Sequence, residues 1–409
     1  MDHSKPSRGR AAWWLVSALA ALALLVWWRP DAAREQVAAP RQEAQAAAAI
    51  VAAPVSSAGP ASGALVARST QAARQHELAL WQRRLETAQQ TLQAYRQTTR
   101  YPPEARLLSE QRDQARPNLP VVEVLPLRLA DGSVARGVRV RTSQERVFVQ
   151  GEESVRLSVS LRADDGTALP LRIVRASARE IPPPNTGSLY PVASVNFNDE
   201  GVDGDVQARD GVYGVRLQPQ RQGFAGLSGA LRVEVVLEHA TRQASVYFDL
   251  VLTGMPPAVW TGAVREALED GTLNFYLGVE VKEPGQYVVS ARVDDARGRP
   301  VALLTYNDEV AAGAQEFRLS LFGLLVRDVK PVFPLTLRDV EAFLLRPDAF
   351  PDRSLMERRP GTLHVSARHS LDAFSTAEWQ GEERGRYLAQ MQRDVDEAQA
   401  KVTQLEARR

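Results

Sequence analysis

The chain has 409 residues, of which 44% are hydrophobic and 24% charged, and these ordinary values exclude wholesale disorder and a collagen-like fibre. Fifty basic and forty-nine acidic residues give a net charge of +1. This balance argues against nucleic acid as a partner, because such binding draws on a surplus of Lys and Arg. The absence of cysteine excludes disulfides, zinc–thiolate sites and thiol nucleophiles.

After a short tail at residues 1–10, a membrane anchor is predicted at residues 11–28, a run without any charge. At a rise of about 1.5 Å per residue it covers about 27 Å of a hydrocarbon core about 30 Å thick. Tryptophan pairs flank the run at Trp13-Trp14 and Trp27-Trp28, as at the two interfaces of a membrane helix. A cleaved signal peptide is the competing interpretation, but Arg29-Pro30-Asp31 follows where small residues would be needed.

The positively charged residues on the two sides of the run are balanced, so they do not set its orientation. The leading segment is short, and the rest of the chain has the composition of an exported β-protein. We therefore expect a single-pass protein of the bacterial inner membrane, with a cytoplasmic N-terminus and the bulk of the chain in the periplasm. The lipid bilayer is then one of its partners.

Two helices are predicted beyond the anchor. Residues 29–67, rich in Ala, Pro, Ser and Gly, are typical of a flexible tether. Residues 68–98 and 381–409 each carry apolar residues at alternating spacings of three and four, which indicates an amphipathic helix with a narrow apolar seam. The predicted interaction seams consist of Leu78, Trp81, Leu85, Leu92 and Tyr95 in the first helix, and Leu388, Met391, Val395, Val402 and Leu405 in the second.

Each seam needs a partner, because a short isolated helix is marginal in water. Three partners stay open. A seam could lie on its own β-domain, pair with the other helix, or pair with another copy of the chain and so form a homo-oligomer.

The residues between the two helices predict β-structure. Tyr101-Pro102-Pro103 ends the first helix, and residues 99–120 form a predicted connector. Short runs with alternating apolar residues then predict two antiparallel immunoglobulin-like sandwiches in tandem, at residues 121–255 and 256–375. The runs are 121–129, 136–141, 155–161, 169–175, 231–237 and 245–252 in the first, and 273–281, 286–293, 301–306, 316–321, 335–345 and 362–367 in the second. The predicted class is mainly β, with a preceding transmembrane helix and flanking amphipathic helices.

The densest cluster of polar residues is the Gly-rich loop at residues 196–213. Its carboxylates Asp199, Asp203, Asp205 and Asp210 could converge on Ca²⁺, which prefers six to eight oxygen ligands. The residue order of an EF-hand is missing. In the alternative interpretation the Asp side chains accept backbone N–H bonds in consecutive turns while Gly residues supply positive φ.

This loop resembles the signature Asp-Asp-Gly-x-x-Gly-Asp-x-x-Ala-x-Asp-Gly-x-Tyr of bacterial exported β-sandwich proteins, including those of the choice-of-anchor X domain type. The matching residues are Asp199, Gly201, Gly204, Asp205, Ala208, Asp210, Gly211 and Tyr213, and the departures are Glu200 and Arg209. The resemblance covers the loop closely and the first sandwich loosely. It implies an extracytoplasmic immunoglobulin-like module without known catalysis.

Motifs of catalysis are absent from the sequence: it has no nucleophile elbow, HExxH, phosphate-binding glycine loop or dinucleotide fingerprint. His364 and His369 are five residues apart, and on a regular strand this odd separation would send them to opposite faces, so they are not expected to share a metal. Asp164-Asp165 and Asp294-Asp295 lie in hairpin-like contexts that predict turns. We expect no enzyme and no cofactor apart from the calcium that the loop could bind.

The sequence thus predicts a non-enzymatic, membrane-anchored envelope protein that presents β-sandwiches outside the cytoplasmic membrane to bind or scaffold other envelope proteins. One alternative is a periplasmic hydrolase or carbohydrate-acting enzyme, whose carboxylates can come from strands far apart in sequence. The other is a calcium-stabilised adhesion module.

Overall fold

The computed structural model describes residues 61–111 and 113–407, and the side chains of its first helix from residue 71 onward. The predicted cytoplasmic tail, the membrane anchor at residues 11–28 and most of the tether lie outside the described residues. Among the helices at residues 61–111 and 113–407, none has both the length and the apolar character that a membrane span requires.

The described chain is mainly β, as predicted. Its helices are α1 (Ala61–Thr98), α2 (Gly323–Val329) and α3 (Glu382–Ala407). Its strands are β1 (Ala105–Leu107), β2 (Val121–Arg128), β3 (Val134–Gln144), β4 (Phe148–Gln150), β5 (Val155–Ala163), β6 (Ala168–Leu169), β7 (Arg172–Ile181), β8 (Ala193–Ser194), β9 (Tyr213–Leu217), β10 (Gly229–His239), β11 (Arg242–Thr253), β12 (Ala258–Glu269), β13 (Thr272–Val281), β14 (Gly285–Asp294), β15 (Pro300–Val310), β16 (Gly313–Leu321), β17 (Thr336–Leu345), β18 (Arg353–Leu355) and β19 (Arg359–Val365).

The first pair of sheets encloses a hydrophobic core between residues 127 and 252. Sheet 1 has the strand order β2-β3-β5-β6, with β9 also paired to β5, and sheet 2 has the order β4-β11-β10-β7-β8. The core forms because successive side chains of a strand point to opposite faces of the sheet. Along β5, Val155, Leu157 and Val159 point into the core and are buried, whereas Arg156 is exposed. The pairing is antiparallel except that β4 runs parallel to β11, which the sequence did not predict.

The second pair of sheets has its own core, built from Ala105 and from residues between 258 and 374. Sheet 3 has the order β1-β15-β14-β17-β18, with β19 also paired to β17, and sheet 4 has the order β12-β13-β16. Strand β1 lies within the predicted connector and pairs with β15, so that segment completes the second sandwich.

Helix α1 begins at Ala61, earlier than the predicted residue 68, and ends at Thr98 just before Tyr101-Pro102. Helix α3 begins with Glu382 and Glu383. Their negative charges stabilise the helix, because they lie at the positive end of its dipole. Arg74 to Ala407 belong to one compact unit, in which the start of α3 lies beside the end of α1.

Candidate functional site

The Asp-rich loop connects β8 to β9 and is held against β9 by its glycines. Asn198 and Gly214 form an isolated β-bridge. Gly204 has a φ of +105°, and a Cβ there would lie 2.2 Å from the Arg216 nitrogen. Only glycine fits a backbone approach this close, so this part of the loop lies directly on the strand.

The structure brings three of the four predicted carboxylates together. Asp199, Asp205 and Asp210 each place a carboxylate oxygen within 4.8 Å of the others. Asp203 is exposed, has a φ of +48° and is not part of this group, although the sequence predicted it as a fourth ligand. Asp203 adopts its left-handed conformation within a turn, and its own backbone carbonyl accepts the Arg216 N–H at 2.5 Å.

These carboxylates also accept backbone hydrogen bonds. The Asp199 oxygens accept the N–H groups of Asp210 and Gly211 at 3.0 and 3.1 Å, and Asp205 Oδ2 accepts the Gly201 N–H at 2.6 Å. These bonds tie distant parts of the loop together, and two Asx turns add to them, in which Asn198 accepts the Glu200 N–H at 3.1 Å and Asp210 accepts the Val212 N–H at 2.9 Å. Each carboxylate oxygen keeps a further lone pair, so the same geometry suits both interpretations of the loop.

The end of the first predicted seam lies beside the start of helix α3. Tyr95 contacts Tyr387 edge-to-face with ring centroids 6.0 Å apart, and the Arg384 Nε donates to the Thr99 Oγ1 at 3.0 Å. The end of one helix therefore meets the start of the other, which is antiparallel pairing. Buried seam residues are Leu78, Leu92, Val395 and Val402, and half-buried ones are Trp81, Leu85, Tyr95, Leu388, Met391 and Leu405. Whether the seams also bind another chain stays a prediction.

His364 and His369 contact one carboxylate, so the prediction that they lie on opposite faces is wrong. The His364 Nε2 lies 3.0 Å from Glu266 Oε2, and the His369 Nε2 lies 3.3 Å from Glu266 Oε1. Strand β19 ends at Val365, and the chain then leaves strand geometry and returns His369 to the same carboxylate. Burial alone would raise the pKa of Glu266, but the Ala367 N–H and the two imidazoles outweigh it and lower the pKa.

Strand β2 is an edge strand with an unusual surface. In the part of the chain that the structure describes, β2 pairs with β3 alone. Four apolar residues are 43–53% exposed, namely Val121, Val122, Val124 and Leu125. Pro126 is tolerated here because an edge strand need not donate every backbone hydrogen bond. An exposed apolar edge of this kind can accept a further strand through its backbone.

A cleft of about 300 Å³ lies where the two sandwiches meet, beside the start of β2. Its apolar lining includes Val121, Phe148, Phe343 and Met356. The Arg353 guanidinium lies over the rings of Phe148 and Phe343, at 4.9 and 5.0 Å from their centroids, and so links the two sandwiches.

Ion pairs line the other side of this cleft. Arg358 of the second sandwich lies between Glu153 of the first, at 3.6 Å, and Glu341, at 3.5 Å. Arg146 contacts Glu153 at 3.5 Å. The ion pairs of Arg358 therefore join the first sandwich to the second along this side of the cleft.

Sequence reasoning predicted the strand at residues 121–129 but not its place at the edge of a sheet, and it missed the cleft and the cluster around Glu266. The signal for an edge was present, because Pro126 interrupts an apolar run in β2. The other two sites join residues about a hundred or more positions apart, such as Glu266 with His364, and depend on the pairing of strands that a single sequence does not show.

Comparisons with known proteins give distant structural similarity only. No family model matches the chain, and no curated protein matches it. A DUF4785 family protein from Legionella pneumophila is 13% identical over 55% of this chain and 57% of its own, with a TM-score of 0.37. Native Escherichia coli alpha-2-macroglobulin is 13% identical over 58% of this chain and 15% of its own, with a TM-score of 0.27. The form activated by porcine elastase is 14% identical, with 51% and 18% covered and a TM-score of 0.21.

The chain thus spans 57% or less of the length of each of these structures. At TM-scores this low, none of them bears on fold or function. None concerns the choice-of-anchor X type, so that resemblance stays a prediction.

Proposed function

We propose that this chain is a single-span envelope protein, anchored in the bacterial inner membrane by residues 11–28, that presents two immunoglobulin-like sandwiches in the periplasm to bind or scaffold other envelope proteins. The resemblance of its loop to choice-of-anchor X proteins supports an extracytoplasmic location. The proposal assigns the chain no catalytic activity.

The observation that carries this proposal is the exposed edge of β2. Native proteins usually protect a long apolar edge with charges or a covering segment, because an open edge pairs with other chains. Here Val122 and Val124 stay 43% and 48% exposed. An open apolar edge exposes the protein to aggregation, and its free backbone groups can pair with an added strand. Both properties support protein binding as the use of this surface.

The proposal is tested in intact cells with a photo-crosslinking residue in place of Val124. We expect protein adducts at Val124 and none at Val174, a valine of similar exposure on sheet 2 that serves as the matched control.

Fractionation is the second measurement. The full chain should remain with membranes after alkaline carbonate extraction, and protease added to spheroplasts should digest it. Recovery in the cytosol, or equal adducts at both valines, would contradict the proposal.

A calcium-stabilised adhesion module is the second candidate, favoured by the convergence of Asp199, Asp205 and Asp210. A cation that binds only the folded state must raise its stability. Melting the full chain in detergent with calcium and with chelator tests this. The Asp199→Asn variant is the control, because it should abolish any shift in midpoint, and an unchanged midpoint in the unaltered chain removes this candidate.

A further inference from the structure

The outward face of sheet 1 carries a cluster of arginines. Along β5 the odd-numbered residues point into the core, so Arg156 and Arg162 point outward, and the strand register fixes the orientation of the neighbours. The arginine face consists of Arg128, Arg139, Arg141, Arg156, Arg162 and Arg216. The whole chain has a net charge of only +1, so this face is a local excess of positive charge.

Two pairs of these arginines stand directly opposite each other. Arg139 opposes Arg162, and Arg156 opposes Arg216. Like charges at directly opposed positions destabilise a sheet. Within residues 61–111 and 113–407, Arg139 reaches Asp164 at 2.8 Å, and the remaining five members of the face make no ion pair, although the Arg162 Nη1 donates to the Gly166 carbonyl at 3.1 Å and Arg156 helps to lower the pKa of Glu145.

Sheet 2 also holds an opposed pair of arginines, Arg179 and Arg232, but Arg232 there has Asp249 opposite it on the other neighbouring strand, with an ion pair of 2.7 Å. Arg172 likewise opposes Glu238 and contacts it at 2.9 Å. Opposed charges of unlike sign stabilise a sheet. On the arginine face, by contrast, the register of β2, β3, β5 and β9 places no Asp or Glu opposite an arginine.

Two further groups without a partner lie at the centre and at the border of the face. Ser160, which opposes Arg141, is 4% exposed, and its hydroxyl has no hydrogen-bond partner within the described residues. A buried hydroxyl without a partner carries a free-energy cost. On the border toward β2, Val122 and Val124 are exposed on the same outward side.

Resting on the proposed function, we propose that the arginine face docks an extended, acidic segment of a partner protein. Arg139 and Arg141 are two residues apart on one strand, a separation of about 6.8 Å, which is also the separation of alternate side chains in an extended peptide. Asp or Glu at every second position would meet these guanidiniums, which bind carboxylates in paired hydrogen bonds. Where the segment reaches the border toward β2, an apolar residue on its inward side would lie on Val122 or Val124.

The side chains of the face favour a peptide over a nucleic acid. Proteins that bind single strands stack the bases on aromatic side chains. On the outward positions of β2, β3, β5 and β9 there is no aromatic residue, and Tyr213 of β9 turns inward to donate to the Leu171 carbonyl at 3.1 Å. The exposed valines have no use against a phosphate backbone but can pack against an apolar side chain of a peptide.

The test is a titration of the full chain in detergent with a labelled peptide of about ten residues, which carries Glu at alternate positions and Val or Thr between them. We expect fluorescence anisotropy to show saturable binding that weakens as salt is raised. Replacing both Arg141 and Arg156 by Gln should weaken binding about tenfold. Arg179→Gln, which removes an exposed arginine from sheet 2, is the matched control and should leave binding unchanged.

Three results would overturn the inference. One is equal affinity for a peptide in which Gln replaces every Glu. Another is equal binding by the double variant and by Arg179→Gln. The third is tighter binding of heparin or a single-stranded oligonucleotide than of the peptide at the same salt. The membrane fractionation and the adducts at Val124 are independent of these readings, so a failure here would leave the proposed function standing.

Discussion

Replacing Arg292 by Met should strongly destabilise the second sandwich. The Arg292 side chain is fully buried in β14. Its Nε and Nη2 donate to the carbonyl and Oε1 of Gln114 at 3.0 and 2.7 Å, and its Nη1 donates to the Asp339 carbonyl at 2.8 Å and to Glu341 Oε2 at 3.2 Å. One guanidinium therefore holds the segment before β2 against sheet 3.

Methionine fills most of the volume but satisfies none of these acceptors. Leaving a buried hydrogen-bonding group unpaired costs about 1–3 kcal/mol, and the variant takes this donor from the Gln114 carbonyl, the Gln114 Oε1 and the Asp339 carbonyl. We expect a loss of about 3–5 kcal/mol in the free energy of unfolding of the second sandwich. Glu341 keeps its contact with Arg358 at 3.5 Å, so the lost hydrogen bonds and not an unpaired charge make up this loss.

Hydrogen exchange of the full chain in detergent measures this effect strand by strand. Exchange in β14 and around Gln114 should accelerate by the factor that corresponds to 3–5 kcal/mol, about two orders of magnitude or more. Arg318→Met, at an exposed position of β16, is the matched control and should change stability by less than about 0.5 kcal/mol. A loss below about 1 kcal/mol for Arg292→Met, or unchanged exchange near Gln114, would refute the reasoning.

Two further predictions concern other parts of the chain. Burial alone would raise the pKa of Asp295, but hydrogen bonds from Arg299 and neighbouring N–H groups lower it to about 2. Its stabilisation is therefore complete above the unfolded pKa of about 4 and is lost as the pH falls toward 2. Asp295→Asn should lower the free energy of unfolding by about 2 kcal/mol at pH 7 and make that free energy depend less on pH between about 4 and 2. The control Asp348→Asn should have neither effect. Leu92→Asp places a charge in the buried seam, so limited proteolysis should release α3, while the exposed Gln89→Asp should remain resistant.

The strands were predictable because their signal is local. Along β5 and β13 the alternation of buried and exposed residues is visible in the sequence, and both runs were placed correctly. Strand β12 was missed because its register shifts between Trp260 and Val264, where Gly262 has a φ of +84°, so the alternation is interrupted. Short strands such as β1 have too few residues to show a period.

The sites were less predictable because they depend on register. The Asp-rich loop was found because its carboxylates lie within one short segment, yet which of them converge is decided by the turn at Asp203. The rule for regular strands failed for His364 and His369 because the strand ends between them. The outward direction of Arg156 follows from its own strand, but its opposition to Arg216 requires the pairing of strands that are far apart in sequence.

The cost of the opposed arginines leads to a last prediction, which separates a structural role from a binding role. If Arg216 supported the fold, its replacement by Gln would destabilise the chain. Because it faces Arg156 across the strands, the replacement should relieve repulsion and leave stability unchanged or raise it by about 0.2–1 kcal/mol, while peptide binding weakens. A residue that weakens the free protein and strengthens the complex is typical of a binding surface. Thermal melting of Arg216→Gln beside the unaltered chain decides the matter, and a midpoint lowered by several degrees would assign these arginines to the fold.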